Sequence, residues 1–171
     1  MNKRGQFYLV AAIVIITIAV GFIIVSNSAS SQQTPNIYNL RDEIKIESSK
    51  TISYAINNHL NATQIQSTLI NFSGQYINNY QNDNFYFIFG NATNMTFMSY
   101  QSSFSNVTLN GTDYTSNVGI GNTYIKNLGA QSNVILGVNG NPYTFPLNSG
   151  TNFNFVIFSN IGGQNYTATS L

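Results

Sequence analysis

Cysteine is absent from the 171 residues, so the chain can form neither a disulfide framework nor a thiolate metal site, and thiols say nothing about its compartment. Charge is nearly as scarce. Asp, Glu, Lys and Arg together make up 6% of the chain, against roughly a quarter in an ordinary soluble domain. After Arg4 there are four basic and five acidic residues, net −1, so nothing attracts a polyanion and no nucleic-acid partner is expected. Histidine occurs once, as His59 near a helix end, where a solvated or capping role is the ordinary one; a metal site or a triad would have to be built around that single ring. Asp83 and Asp113, the acids of the later half, read as turn residues rather than as an acid–base couple. No Gly-rich phosphate loop stands between a strand and a helix, since "GVNGNP" fits a hairpin and "IGGQN" a loop between strands. An enzyme is starved of reagents here, and no catalytic residue, cofactor or metal ligand is expected.

Amide and hydroxyl take the place of charge. Asn occurs 27 times and Lys only four, although both draw on the same A-rich codons, which points to selection for an uncharged polar surface. Such a surface can lie against copies of itself without repulsion, or carry glycans. Seven Asn-X-Ser/Thr motifs begin at Asn61, Asn71, Asn91, Asn94, Asn106, Asn110 and Asn165. Chance supplies most of that number: 27 Asn and 33 Ser or Thr in 171 positions give about five. Position says more than number, because Asn91, Asn94 and Asn110 fall in expected turns, while Asn71 lies inside an expected helix and is the weakest candidate.

Phe7 to Val25 is a run of nineteen residues without a charge, and at 1.5 Å per residue a helix of that length covers about 28 Å, the thickness of a bilayer's hydrocarbon core. Lys3 and Arg4 precede it and no charge follows until Arg41, so the positive-inside rule places the first residues in the cytoplasm and the rest outside. Three fates are open to this segment: a secretory signal cut near Ala29 or Ser31, an uncleaved anchor, or a leader cut on its cytoplasmic side.

The third is carried by Lys3-Arg4-Gly5-Gln6 directly ahead of the apolar run, which resembles the archaeal class III, or type IV prepilin-like, signal sequence. The resemblance implies cleavage between Gly5 and Gln6 by a prepilin-type peptidase, with the apolar helix kept for packing against other copies. It covers about the first 25 residues. Val10 stands where many pilins carry Glu at the fifth mature position, and "SNSASSQQTP" interposes a flexible tether before the outer domain. The chain is also similar to a group of small archaeal single-pass membrane proteins that begin "KRGQFYL" and carry a later "YFIFGN", a likeness that implies no activity.

The outer part reads as helices followed by strands. Asn36 can cap a helix from about Ile37 to Leu60, with Ile37, Leu40, Ile44, Thr51 and Ala55 at helical spacing and Ile52, Ile56 and Leu60 alongside. Its charges, Arg41 to Lys50, suit a solvated face with Asp42–Lys45 and Glu47–Lys50 pairs. Ile65, Leu69, Phe72, Tyr76 and Tyr80 mark a second helix, weakened at Gly74. Beyond Asp83 come eight short β-rich runs, with Asn110-Gly111 and Asn139-Gly140 as type I′ turns, and one face of "NFNFVIFSN" turned to the core.

The expected fold class is therefore α+β: leader 1–5, transmembrane helix 6–25, linker 26–35, and one extracytoplasmic domain 36–171, helical over 36–81 and an antiparallel β-sheet over 84–171. The function expected is a membrane-anchored, pilin-like cell-surface structural or adhesive protein, non-enzymatic. Its partners would be the lipid bilayer, copies of itself or other surface proteins. A tethered binding module or an accessory subunit of a membrane complex is the alternative.

Overall fold

Two helices open the domain, α1 (Asn36–Asn57) and α2 (Ala62–Asn79). Nine strands follow: β1 (Asn84–Gly90), β2 (Asn94–Tyr100), β3 (Val107–Leu109), β4 (Thr112–Tyr114), β5 (Asn122–Asn127), β6 (Asn133–Val138), β7 (Asn141–Pro146), β8 (Asn152–Ile161) and β9 (Gln164–Thr169). This is a computed structural model that describes residues 36–127, 129 and 131–171. The expected leader with its Gly5–Gln6 cleavage point, the apolar helix and the linker lie outside the described residues. Among the described residues no helix is long and apolar enough to cross a membrane.

The α+β class with two helices and antiparallel pairing holds, but the strands form two sheets where one was expected. A five-stranded sheet runs β5-β2-β1-β8-β9 and a four-stranded one β4-β3-β6-β7. The reason lies in β1. On one of its faces Phe85, Phe87 and Phe89 pack with Ile37, Leu40 and Ile44 of α1 and Leu69, Phe72, Tyr76 and Ile77 of α2. On the other, Tyr86 and Ile88 pack with Val107 and Leu109 of β3 and Val134, Leu136 and Val138 of β6. Side chains alternate across a strand, so the layers must run helices, five-stranded sheet, four-stranded sheet. Strand β8 is two-sided as well: Phe153, Phe155 and Ile157 face the helices, and Val156 and Phe158 face the second sheet.

Smaller departures have local causes. Helix α1 stops at Asn57 rather than Leu60, because the Leu60 amide bonds back to the Ala55 carbonyl (3.0 Å) and the His59 amide to the Ile56 carbonyl (3.0 Å). That is a Schellman close, with His59 at φ +53° in the left-handed place usually taken by Gly. Ile56, expected beside the buried stripe, is 56% exposed, and Ser48 is buried in its stead. Helix α2 starts on a capping box: Gln64 N–H donates to Asn61 Oδ1 (3.0 Å) and Asn61 N–H to Gln64 Oε1 (2.9 Å). "FSNVTL" and "DYTSNVGI" contribute only the three-residue strands β3 and β4. The Asn110-Gly111 and Asn139-Gly140 turns do have positive φ at both residues, 47° and 73°, 52° and 82°. Gly162-Gly163 closes a third two-residue hairpin, adding β9 after the eight runs expected.

Two glycines separate tolerance from necessity. A Cβ built on Gly74 meets nothing, whereas one on Gly90, at φ +136°, would run into the Asn94 carbonyl oxygen. Gly74→Ala should raise stability by about 0.5–1 kcal/mol, and Gly90→Ala should lower it by more than about 1 kcal/mol, both read by urea unfolding.

Candidate functional site

The helices run antiparallel. The Tyr76 hydroxyl, late in α2, lies 2.7 Å from Glu47 Oε2 and 3.2 Å from Glu43 Oε1, toward the middle of α1. The four residues between the helices therefore sit at one end of the layer, with the start of α2. Asn36, the first residue of α1, is at the opposite end; α1 has 22 residues, or about 33 Å of axis.

At the Asn61 end a groove of about 520 Å³ opens between α2 and the sheet. Ala62, Thr63, Ile65, Gln66 and Leu69 form one wall; Phe89, Gly90, Asn91, Asn94 and Thr96 form the other, and Ile125 of β5 and Thr151 complete it. Gln66 Nε2 donates to Thr96 Oγ1 across it (2.8 Å). The turn on its far wall is held by Asn91, whose Oδ1 accepts from the amides of Thr93 (3.0 Å) and Asn94 (2.7 Å). No lining residue is ionisable. The groove can receive neutral, amphipathic matter, and it has no group to activate a nucleophile. A smaller hollow of about 330 Å³ lies between α1 and β8, with Lys45 on its rim and Phe153 and Phe155 at its wall.

Away from the groove, the titratable groups that meet, Glu43, Glu47 and Tyr76, link the two helices. His59 and Asp83 flank opposite ends of α2, whose 18 residues span about 27 Å. His59 is exposed and serves the helix end. Burial raises the Asp83 pKa, with Ser159 pulling the other way. The expected Asp42–Lys45 and Glu47–Lys50 pairs are replaced: Arg41 Nε bonds Asp42 at 2.8 Å, and Glu43 and Glu47 turn toward Tyr76. No group of three or more His, Cys, Asp or Glu converges among the described residues.

At the β2–β3 connection lies a partly buried amide and hydroxyl network. Asn84 Oδ1 accepts from the amides of Ser102 (2.7 Å) and Ser103 (3.1 Å), and its Nδ2 donates to Ser105 Oγ (3.1 Å). Gln101 clasps the Ser105 backbone through both side-chain atoms (2.9 and 3.3 Å). Burial raises the Tyr86 pKa, partly offset by Ser105, Gln101 and Asn84 nearby. With no base among these groups the network is architectural: it pins the β2–β3 connection.

The acceptor motif joins an Asn amide to a hydroxyl two residues on, so on a folded domain both must be reachable. Asn61 with Thr63, and Asn91 with Thr93, are exposed at both positions, and they stand on opposite rims of the groove. Asn94 is exposed, but Thr96 is 2% exposed. Asn71 is exposed, but Ser73 is 0% exposed. Asn106 is exposed ahead of the half-buried Thr108 in β3. Asn110 is half-buried in its turn, accepting from the Ile135 amide (2.7 Å) and donating to Gln131 (3.1 Å). Asn165 is exposed at the start of β9 and accepts from Asn160 (2.8 Å).

The groove itself was not legible in the sequence, because α2, the β1–β2 turn and β5 meet only through the fold. The one local signal was the "NATQ" capping box that begins its wall. No protein-family model matches the chain, and no curated protein or solved structure gives a match.

Burial, then the hydrogen bond to Glu47 and the negative field of Glu43 and Glu47, raise the Tyr76 pKa well above its ordinary value of 10.0. The neutral phenol is thus favoured more in the folded state than in the unfolded one. Its contribution is complete below pH about 10 and falls as pH rises beyond it. Urea unfolding between pH 8 and pH 11 should show stability falling above pH 10, and Tyr76→Phe should flatten that slope.

Proposed function

We propose that this chain is a membrane-anchored, pilin-like cell-surface protein with a structural or adhesive role and no catalytic activity. The observation that carries the reading is the order of parts: a basic, Gly5-terminated start, nineteen uncharged residues, then a neutral head with its own double core. Phe7–Val25 holds the chain in the bilayer with its front end in the cytoplasm, and the head lies outside. A prepilin-type peptidase cuts between Gly5 and Gln6. The low charge of the head lets copies or other surface proteins approach without repulsion. Glycans on such a head would sit at Asn61 and Asn91 ahead of Asn94, Asn106, Asn110 and Asn165.

A second reading, a tethered binding module or an accessory subunit, is favoured by the groove. It opens between α2 and the sheet, at the end of α1 away from Asn36.

Mass spectrometry of the mature N-terminus should find Gln6, and replacing Gly5 with a bulky residue should block that processing; a mature chain starting at Met1 would end the pilin-like reading. Electron microscopy of sheared surface material separates the alternatives, filaments supporting the first and a purely membrane-bound monomer the second. Glycopeptide mapping should show sugar at Asn61 or Asn91 and none at Asn71 or Asn94.

A further inference from the structure

A sheet ends in strands whose outer amides and carbonyls have no partner, and soluble proteins blunt such edges with short strands, proline or charge. The two sheets have four edges, β5, β9, β4 and β7. Three carry such a device. β4 is three residues long and contains Asp113. In β7 the Asn139-Gly140 turn makes Asn141, Tyr143 and Phe145 bond inward to β6, which leaves positions 142, 144 and 146 outward. Two of those are Pro142 and Pro146, which have no N–H to offer. β5 carries Lys126, whose Nζ reaches across to Thr112 Oγ1 of β4 (2.7 Å).

β9, "QNYTAT", has no charge, no proline and six residues. Its hairpin closes at Ile161 opposite Gln164 across a two-residue turn, so Gln164, Tyr166 and Ala168 bond inward to β8. The Ser170 amide continues that inward series to the Phe155 carbonyl (3.1 Å). The N–H and C=O groups of Asn165, Thr167 and Thr169 therefore point to the open side.

We propose that this edge pairs antiparallel with the β9 of a second copy, with Thr167 on the two-fold axis, joining two five-stranded sheets into one. The strand is complementary to itself in that register. Thr167 faces Thr167 of the other copy, and Asn165 faces Thr169, in pairs that exchange main-chain bonds in both directions, about six in all. On the face turned to the helices the large Tyr166 lies opposite the small Ala168. Thr–Thr pairs are favourable across strands, and no charge opposes its like. One strand's worth of contact is a small interface, so pairing is weak in dilute solution and strengthens where copies are concentrated. A sugar on Asn165 stands at this same edge and excludes the pairing. The proposal concerns the head alone and does not depend on how the N-terminus is processed.

The absence of native cysteine makes the test direct. Thr167→Cys brings two thiols together on the axis, where bonded antiparallel partners lie at about 5.5 Å between Cα atoms, within disulfide reach; it also alters the Asn165 acceptor motif. Thr144→Cys on β7 is the matched edge control. In the full chain under mild oxidation, Thr167→Cys should form a covalent dimer at least ten-fold faster than Thr144→Cys. Adding Thr169→Pro, or Asn165→Pro if the first fails to fold, removes an outward amide without touching the bonds to β8 and should abolish that advantage. Equal rates at the two positions, or a Thr167→Cys dimer that survives either proline, would overturn the proposal.

Discussion

Strand β1 is covered on both faces and paired on both edges, and the remainder of the domain is arranged by that enclosure. Phe85 through Phe89 are each 0% exposed, and full burial of one such side chain is favourable by roughly 1.5–3 kcal/mol. Five consecutive apolar residues cannot all face one core, because alternate side chains point opposite ways. The strand thus requires helices on one side and a second sheet on the other. Phe153 ties the helical side together, its ring centroid 5.6 Å from Phe72, 5.8 Å from Phe87 and 5.7 Å from Phe89. On the other side Phe97, Tyr114 and Tyr124 close the β4–β5 margin with centroids 4.8–6.0 Å apart.

A chain with so little charge has to satisfy buried polar groups by other means, and asparagine does much of this. Asn84 and Asn152 are buried and fasten neighbouring connections, Asn152 Nδ2 lying 3.0 Å from the Asn148 carbonyl. Asn61 caps a helix, Asn91 folds a turn, and Asn110 and Asn139 take positive φ at hairpins. Asn suits each role because its short amide can bond the local backbone and tolerates the left-handed region. The surplus of asparagine is accordingly not only a surface property. Part of it builds the fold.

The same scarcity shapes what the domain can do. The groove beside α2 has no ionisable wall, the Glu43, Glu47 and Tyr76 contact joins the helices, and His59 and Asp83 sit at opposite ends of α2. The groove offers only shape, amides and hydroxyls to whatever meets it. Neutral contact is slow to steer and tolerant of many copies side by side.

The class of the domain, its two helices and its type I′ turns were legible because each rests on neighbours in the chain: the spacing of Ile65, Leu69, Phe72 and Tyr76, and the Asn-Gly pairs. The start of α2 is equally local, written in the "NATQ" capping box. The split into two sheets was not legible, since "NFYFIFG" shows no polar face whether it is covered by one partner layer or two. Nor were the exchange of helix ion pairs for the Tyr76 contact, the burial of Ser73 and Thr96 behind otherwise open asparagines, or the place of β9 at a sheet edge. Each depends on residues far apart in the chain being brought side by side, and distances of that kind are set by packing rather than by order along the backbone.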